Sequence, residues 1–205
     1  MKNNFNFIAK KYDRLGRLVF GDTLLKSQLA MLSYIKGNDH LLILGGGSGA
    51  ILKELEKLNI SLTISYVELS TEMIKLSQLE LPFKNLKIQF INANALEIAL
   101  PKVDAVMTHF FLDVFTLENL EMVMRKVDAV LNDSGIWLCV DFKKTNSFLK
   151  NGLIKLMYLF FKLFSRLEGN NLQDFEERFK ILGYKKIDSK FYFGGMIESV
   201  IYQKS

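Results

Sequence analysis

Residues His40 to Leu52, HLLILGGGSGAIL, constrain the fold of this chain more than any other stretch. Leu41 to Leu44 form a short unbroken apolar run, the pattern of a strand whose sheet is covered by helices on both faces. Gly45, Gly46, Gly47, Ser48 and Gly49 then supply a turn in which backbone can lie against a ligand with no Cβ in the way. A helix starting near Ala50 would aim its first N–H groups at the same point. Each glycine costs about 0.5–1 kcal/mol relative to Ala in regular structure, so a ligand-free turn has little use for all of them. Strand, glycine turn and helix start together make a nucleotide site.

The spacing of the loop fits two templates. Gly45, Gly47 and Ala50 satisfy G-x-G-x-x-A, the dinucleotide fingerprint. Gly45, Gly47 and Gly49 satisfy G-x-G-x-G, the loop of S-adenosylmethionine (SAM) enzymes, and the loop alone does not separate the two. A second signal lies about 20 residues on. Thr63 to Val67 (TISYV) is rich in β-branched and aromatic residues and ends at Glu68. An acidic side chain at the tip of a second strand is placed to accept hydrogen bonds from both hydroxyls of a ribose. Ser70 or Thr71 is then a candidate cap for the next helix, with Glu72 and Met73 in its first turn.

The remaining elements alternate. Residues 5–36 read as helical ahead of the first strand, with Phe5, Ile8, Ala9 and Tyr12 on one face and Leu24, Leu25, Leu29, Leu32 and Ile35 on a second. A helix over about 71–80 is followed by a third strand, Leu86 to Ile91, ending in Asn92-Ala93-Asn94-Ala95. Val103 to Phe111 (VDAVMTHFF) reads as the fourth strand and its exit, and Glu118 to Leu131 as an amphipathic helix carrying Leu120, Val123, Met124, Val127 and Val130. Asn132 to Gly135 reads as a turn before a fifth strand, Ile136 to Phe142. A helix over Gln173 to Ile181 ends at Gly183 as a C-cap, and Lys185–Tyr192 and Met196–Gln203 form an antiparallel hairpin joined at Gly194-Gly195. This rhythm predicts an α/β fold: a doubly wound, Rossmann-like, seven-stranded sheet of five parallel strands plus a C-terminal antiparallel hairpin, with helices on both faces and an N-terminal helical lid. Ligands of such a sheet sit at the carboxyl ends of its strands, where the strand order reverses.

With 205 residues, 49% hydrophobic and 24% charged, the chain reads as a single globular domain, residues 1–205. Within it, 1–38 form the N-terminal helical cap and 148–170 an apolar helical insertion before the last hairpin. The stripe Leu153, Leu156, Phe160, Leu163 and Leu167 is widened by Leu159, Phe161 and Phe164. The segment 148–167 is therefore open to three roles: roof of an apolar substrate pocket, dimer interface, or peripheral membrane contact with Lys150, Lys155, Lys162 and Arg166 at the headgroups. Cys139 is the only cysteine, which rules out an internal disulfide framework and points to a reducing cytoplasm. The N-terminal residues lack a signal-peptide core, and no window approaches 18 uncharged apolar residues. The net charge of +5 is dispersed, so no nucleic-acid arm is expected, nor is a metal site.

On LLILGGGSG, VELSTEM, FINANA, DAVMTHFFLDVF and the closing LGYKKIDSKFYFGGMIESVIYQK, the chain resembles the class I SAM-dependent methyltransferases. The likeness is strongest to their small-molecule group of ubiquinone/menaquinone C-methyltransferases (methyltransferase types 11 and 25), and FIAKKYDRLGRLVFG is similar to that group's A-x-x-Y-D opening. The resemblance implies a transferase that moves a methyl group from SAM, leaving S-adenosylhomocysteine, to a small acceptor. It implies that Gly45, Gly46, Gly47, Ser48 and Gly49 wrap the methionine portion, Glu68 holds the ribose, Leu69 and Met73 flank the adenine, and Asn94-Ala95 meet its edge. Thr108 and His109 would lie near the methionine portion and the acceptor; apart from the resemblance, Tyr12 on the N-terminal lid is a candidate to lean on the cofactor. Two positions depart from the family pattern: Ile43 stands where an acidic residue is usual, and Asn94 replaces the usual Asp. The loop also resembles that of aminopropyltransferases such as spermidine synthase, but THFFLDVF lacks their acidic D-x-x-D-P-type loop.

Methyl transfer is largely a matter of alignment, and a base is needed only for a phenol, hydroxyl or acidic carbon. His109 is the first candidate, with Asp113 four residues on able to orient it if that segment is helical. Asp141 and Tyr12 are the others. Phe110, Phe111 and Phe115 suit an apolar or aromatic acceptor. A non-catalytic SAM- or nucleotide-binding module, or more remotely an NAD-dependent reductase, fits the same loop. A monomer or a homodimer is expected.

Overall fold

A computed structural model describes residues 20–79, 81–143, 145, 147, 152 and 175–204. Tyr12, most of the N-terminal cap and all of the apolar segment 148–167 except Gly152 lie outside the described residues.

The strands are β1 (His40–Leu44), β2 (Leu62–Glu68), β3 (Leu86–Asn92), β4 (Val103–His109), β5 (Leu131–Phe142), β6 (Tyr184–Tyr192) and β7 (Ile197–Lys204). The helices are α1 (Thr23–Leu29), α2 (Ala50–Lys57), α3 (Thr71–Gln78), α4 (Leu117–Val130) and α5 (Phe175–Ile181). The strands form one sheet in the order β3-β2-β1-β4-β5-β7-β6. The first five are parallel, and β7 runs antiparallel between β5 and β6. From β1 the chain winds outward to β3 and then returns to lay β4 on the other side of β1. The order therefore reverses between β1 and β4, and a crevice opens at their carboxyl ends.

Sequence pattern explains both layers. In α4 the stripe Leu120, Val123, Met124 and Val127 is buried, and it packs with Trp137, Cys139, Phe179 and Tyr202 on one face of the sheet. On the other face α2 buries Ile51, Leu52 and Leu55 beside Met31, Leu32 and Ile74. Burial of one Leu or Ile side chain contributes about 1.5–3 kcal/mol, so these two layers hold the sheet. Caps fix the helix starts: Ser70 Oγ accepts from the Met73 N–H at 3.3 Å, and Thr116 Oγ1 accepts from the Asn119 N–H at 3.3 Å.

One local expectation changes. Asn132 to Gly135 turn without leaving the strand: β5 begins at Leu131, directly from α4. Leu131 pairs with Val103, and the next pair is Ile136 with Ala105. Four residues of β5 thus bulge against Asp104, where Asn132 Nδ2 donates to Asp104 Oδ1 at 2.7 Å. The hairpin turn at Phe193–Gly195 is a single 3-10 turn with three successive left-handed residues, φ +49°, +63° and +87°.

Candidate functional site

The glycine loop leaves β1 at the sheet's reversal point. The Gly45 and Gly46 N–H groups both donate to the Val67 carbonyl, at 2.9 and 3.4 Å, which folds the loop over the end of β2. Gly46 is required by packing, because a Cβ there would overlap the Tyr66 ring. Gly47 differs: nothing lies within 4 Å of where its Cβ would be, and its φ is +64°. The loop is therefore open on the Gly47 side. The Tyr66 hydroxyl donates to the Gly47 carbonyl at 2.9 Å.

Glu68 ends β2 beside this loop. Its Oε2 accepts from the Gly47 N–H at 2.9 Å and its Oε1 from the Ser70 N–H at 2.8 Å. Burial pushes its pKa up, and the backbone N–H bonds pull the other way. A carboxylate has about four lone-pair sites, so these two bonds leave acceptor capacity for a diol. Leu69 is half exposed and Met73 is buried at the start of α3. Asn92 Nδ2 ties the Glu68 and Leu69 carbonyls at 2.9 Å each. Asn94 spends its side chain on its own turn, Oδ1 accepting from the Leu96 N–H at 3.1 Å and Nδ2 donating to Glu97 at 2.9 Å. The Lys126 ammonium donates to the carbonyls of Ala95, Leu96 and Ile98, fixing that turn to α4.

At the end of β4, Thr108 is fully buried and its Oγ1 accepts from Trp137 Nε1 at 2.9 Å. That side chain belongs to the α4 layer. His109 has a buried Nε2 with no hydrogen-bond partner among the described residues, and burial lowers its pKa to about 3. It is a neutral imidazole at neutral pH. Asp113 sits in a 3-10 turn, Leu112–Val114, not in an α-helix. Its carboxyl hydrogen-bonds that of Asp141, whose pKa is pushed well up, first by burial and then by the Asp113 charge. Asp141 Oδ2 also accepts from the Leu112 and Asp113 N–H groups, at 3.2 and 3.3 Å. The two carboxyls hold a proton between them and fix the turn after β4.

Beside them is a packed aromatic cluster. The Phe110 ring centroid lies 5.2 Å from that of Phe142, Phe142 5.7 Å from Phe20, and Phe20 4.7 Å from Phe193. Phe110 has φ +52°, a left-handed backbone costing an aromatic residue about 1–2 kcal/mol. Its N–H donates to the Val140 carbonyl at 2.7 Å, which helps hold the strained residue. Phe111 packs where a Gly45 Cβ would be, 2.5 Å from that position. Among the described residues no three His, Cys, Asp or Glu side chains gather as a metal site. No helix among them is long and apolar enough to cross a membrane.

Tyr66 is the site residue that the sequence did not single out. Its signal is Gly46, a glycine that neither loop template demands.

Residues 42–139 match the family described as "Methyltransferase domain". No curated protein sequence matches the chain. Among solved structures, a chain of the complex between the Haloferax volcanii Trm112 methyltransferase activator and the putative methyltransferase superposes with TM-score 0.72 at 13% identity, covering 99% of this chain and 98% of that one. The Burkholderia thailandensis 1,6-didemethyltoxoflavin-N1-methyltransferase, crystallised with 1,6-didemethyltoxoflavin and S-adenosylhomocysteine, superposes with TM-score 0.69 at 11% identity, covering 98% and 87%. The [4+2]-cyclase SpnF superposes with TM-score 0.65 at 12% identity, covering 88% and 79%. At these identities the likeness is one of fold.

Proposed function

We propose that this chain, which carries a methyltransferase domain on the class I SAM-dependent fold, transfers a methyl group from SAM to a small apolar or aromatic acceptor. The observation that carries the reading is the bracing of Gly47, in the loop after β1, by Glu68 at the tip of β2, beside the reversal of strand order. A bare glycine backbone and a half-buried carboxylate stand side by side there, which suits the two ends of an adenosyl amino acid. Gly45 to Gly49 receive the methionine portion, and Glu68 takes the ribose hydroxyls on its remaining lone pairs. Leu69 and Met73 flank the adenine, with Asn94-Ala95 at its edge and Thr108 and His109 at the strand end nearest the methionine portion.

When bound, the sulfonium supplies an already activated methyl group. The residues' share is orientation, which is worth about 7–11 kcal/mol in favourable cases. Phe110, partly exposed over the buried rings of Phe142 and Phe20, offers a flat apolar acceptor a ring face. His109 accepts a proton only weakly, since burial lowers its basicity. Asp141, holding a proton with Asp113, keeps the turn after β4 in place instead of removing a proton from the acceptor.

A second reading, a SAM-binding module without transfer activity, is favoured by the weak basicity of His109 and by the likeness to a cyclase. Isothermal titration with SAM, S-adenosylhomocysteine and NAD, followed by product screening on quinols, phenols and fatty acids, tests both. Binding of the two adenosyl ligands and methylation of one acceptor class is the expected result. Binding without any methylated product supports the module, and binding of NAD alone overturns both.

A further inference from the structure

The side chain that shapes the glycine loop from below is Tyr66, in the body of β2. Its ring is fully buried between the registers of Ile43 on β1 and Phe90 on β3, edge-on to Phe90 with centroids 5.2 Å apart. A Phe or Leu would fill that space as well; the hydroxyl has a separate task. It donates to the Gly47 carbonyl at 2.9 Å, and the Gly49 N–H and the Ser77 hydroxyl lie close enough to it to act on its ionisation. Glu68, two residues along and on the same face of β2, takes the Gly47 N–H at 2.9 Å. Two side chains of one strand thus hold Gly47 by both its polar groups, and with them the peptide planes on either side. Gly46 completes the fit, because the ring occupies the space of its missing Cβ. The paired features, a tyrosine in the strand and an additional glycine in the loop, have no use in the sheet alone.

We propose that Tyr66 is a positioning residue for the cofactor, its hydroxyl setting the loop from Gly47 to Gly49 in the shape that receives the amino-acid end of the adenosyl ligand. The inference rests on the SAM reading above. Removing the hydroxyl leaves the ring packed but frees a partly buried carbonyl, and a hydrogen bond of this kind governs about a three- to tenfold change in affinity.

The test is titration of S-adenosylhomocysteine into wild type, Tyr66→Phe and Gly46→Ala, with amide hydrogen exchange on the ligand-free proteins. Tyr66→Phe is expected to bind about three- to tenfold more weakly and to exchange faster at Gly47 and Gly49, with exchange in α4 unchanged. A purely structural loss would instead raise exchange in α4 too. Gly46→Ala, which keeps the hydroxyl but displaces the ring, is expected to weaken binding as well. It decides the matter should Tyr66→Phe fail to fold. Equal affinity and equal loop exchange in the variants overturn the role of Tyr66 and leave the SAM reading standing. A wild type that does not bind the ligand at all overturns both.

Discussion

Glu68→Gln is the substitution that bears most directly on the site. The carboxylate accepts from the Gly47 N–H at 2.9 Å and from the Ser70 N–H at 2.8 Å. A ribose diol would add two donors to the same anion. Gln is close in shape but presents one acceptor oxygen and one NH2 group. Its NH2 must face either the Gly47 N–H, the Ser70 N–H or a ribose hydroxyl. Hydrogen bonds to a charged group are worth about 1.5–3 kcal/mol and neutral ones about 1 kcal/mol. Losing two charge-assisted ribose contacts while keeping one neutral bond therefore costs about 2–5 kcal/mol, or about 30- to 4,000-fold in affinity. Titration calorimetry of S-adenosylhomocysteine near pH 7.5 reads this as a raised Kd. A folded Glu68→Gln that binds within threefold of wild type would refute the assignment of ribose binding to this residue.

The same residue predicts a pH dependence. Burial holds the Glu68 pKa above its ordinary 4.5. Its contribution to folding stability is then fully present below about 4.5 and is lost as pH rises through the folded value. On the proposed ribose assignment ligand affinity has the opposite trend, because a diol would donate to the ionised form. Wild-type affinity should fall as pH is lowered through the raised pKa, and Glu68→Gln should show no such fall.

Two further predictions concern the end of β4 and its neighbour. Burial takes His109 from 6.5 to about 3, so its neutral form contributes stability above 6.5 that is lost as pH falls toward 3; His109→Leu should flatten that acid limb in a series of urea midpoints, and an unchanged slope would show that the imidazole is hydrated. Asp141 titrates in the opposite sense: the stability its pair contributes is full below 3.8 and is lost as pH rises through the raised folded value. Asp141→Asn has no proton to lose, so its denaturation midpoint should vary less than wild type as pH is raised above 3.8, with an unaltered profile counting against the shared proton.

Much of the fold is legible because it is local. Leu41 to Leu44 and the α4 stripe of Leu120, Val123, Met124 and Val127 carry their burial in their own spacing. Ser70 announces the start of α3 by chemistry that acts over three residues. The bulge at Asn132 to Gly135 was not legible, because its cause is pairing with Val103 and Ala105 about 30 positions earlier. The same holds for Asp113 and Asp141, 28 residues apart, which meet only because β5 lies beside the exit of β4. In sequence Asp113 is nearest His109; in space its carboxyl partner is Asp141.

The glycine loop shows both sides of this in one place. Its strand, turn and helix could be read from thirteen consecutive residues, and so could the carboxylate one strand over. The reason for Gly46 could not, since it lies in a ring twenty positions away whose hydroxyl reaches the loop from below. Its place in the unbroken buried run Ile64 to Val67 marks Tyr66 as one more core residue of β2; only the three-dimensional pairing shows that its hydroxyl bonds the Gly47 carbonyl. Where a motif contains more glycine than its template asks for, the excess is a statement about what packs beneath it, and the packing partner is the side chain to substitute first.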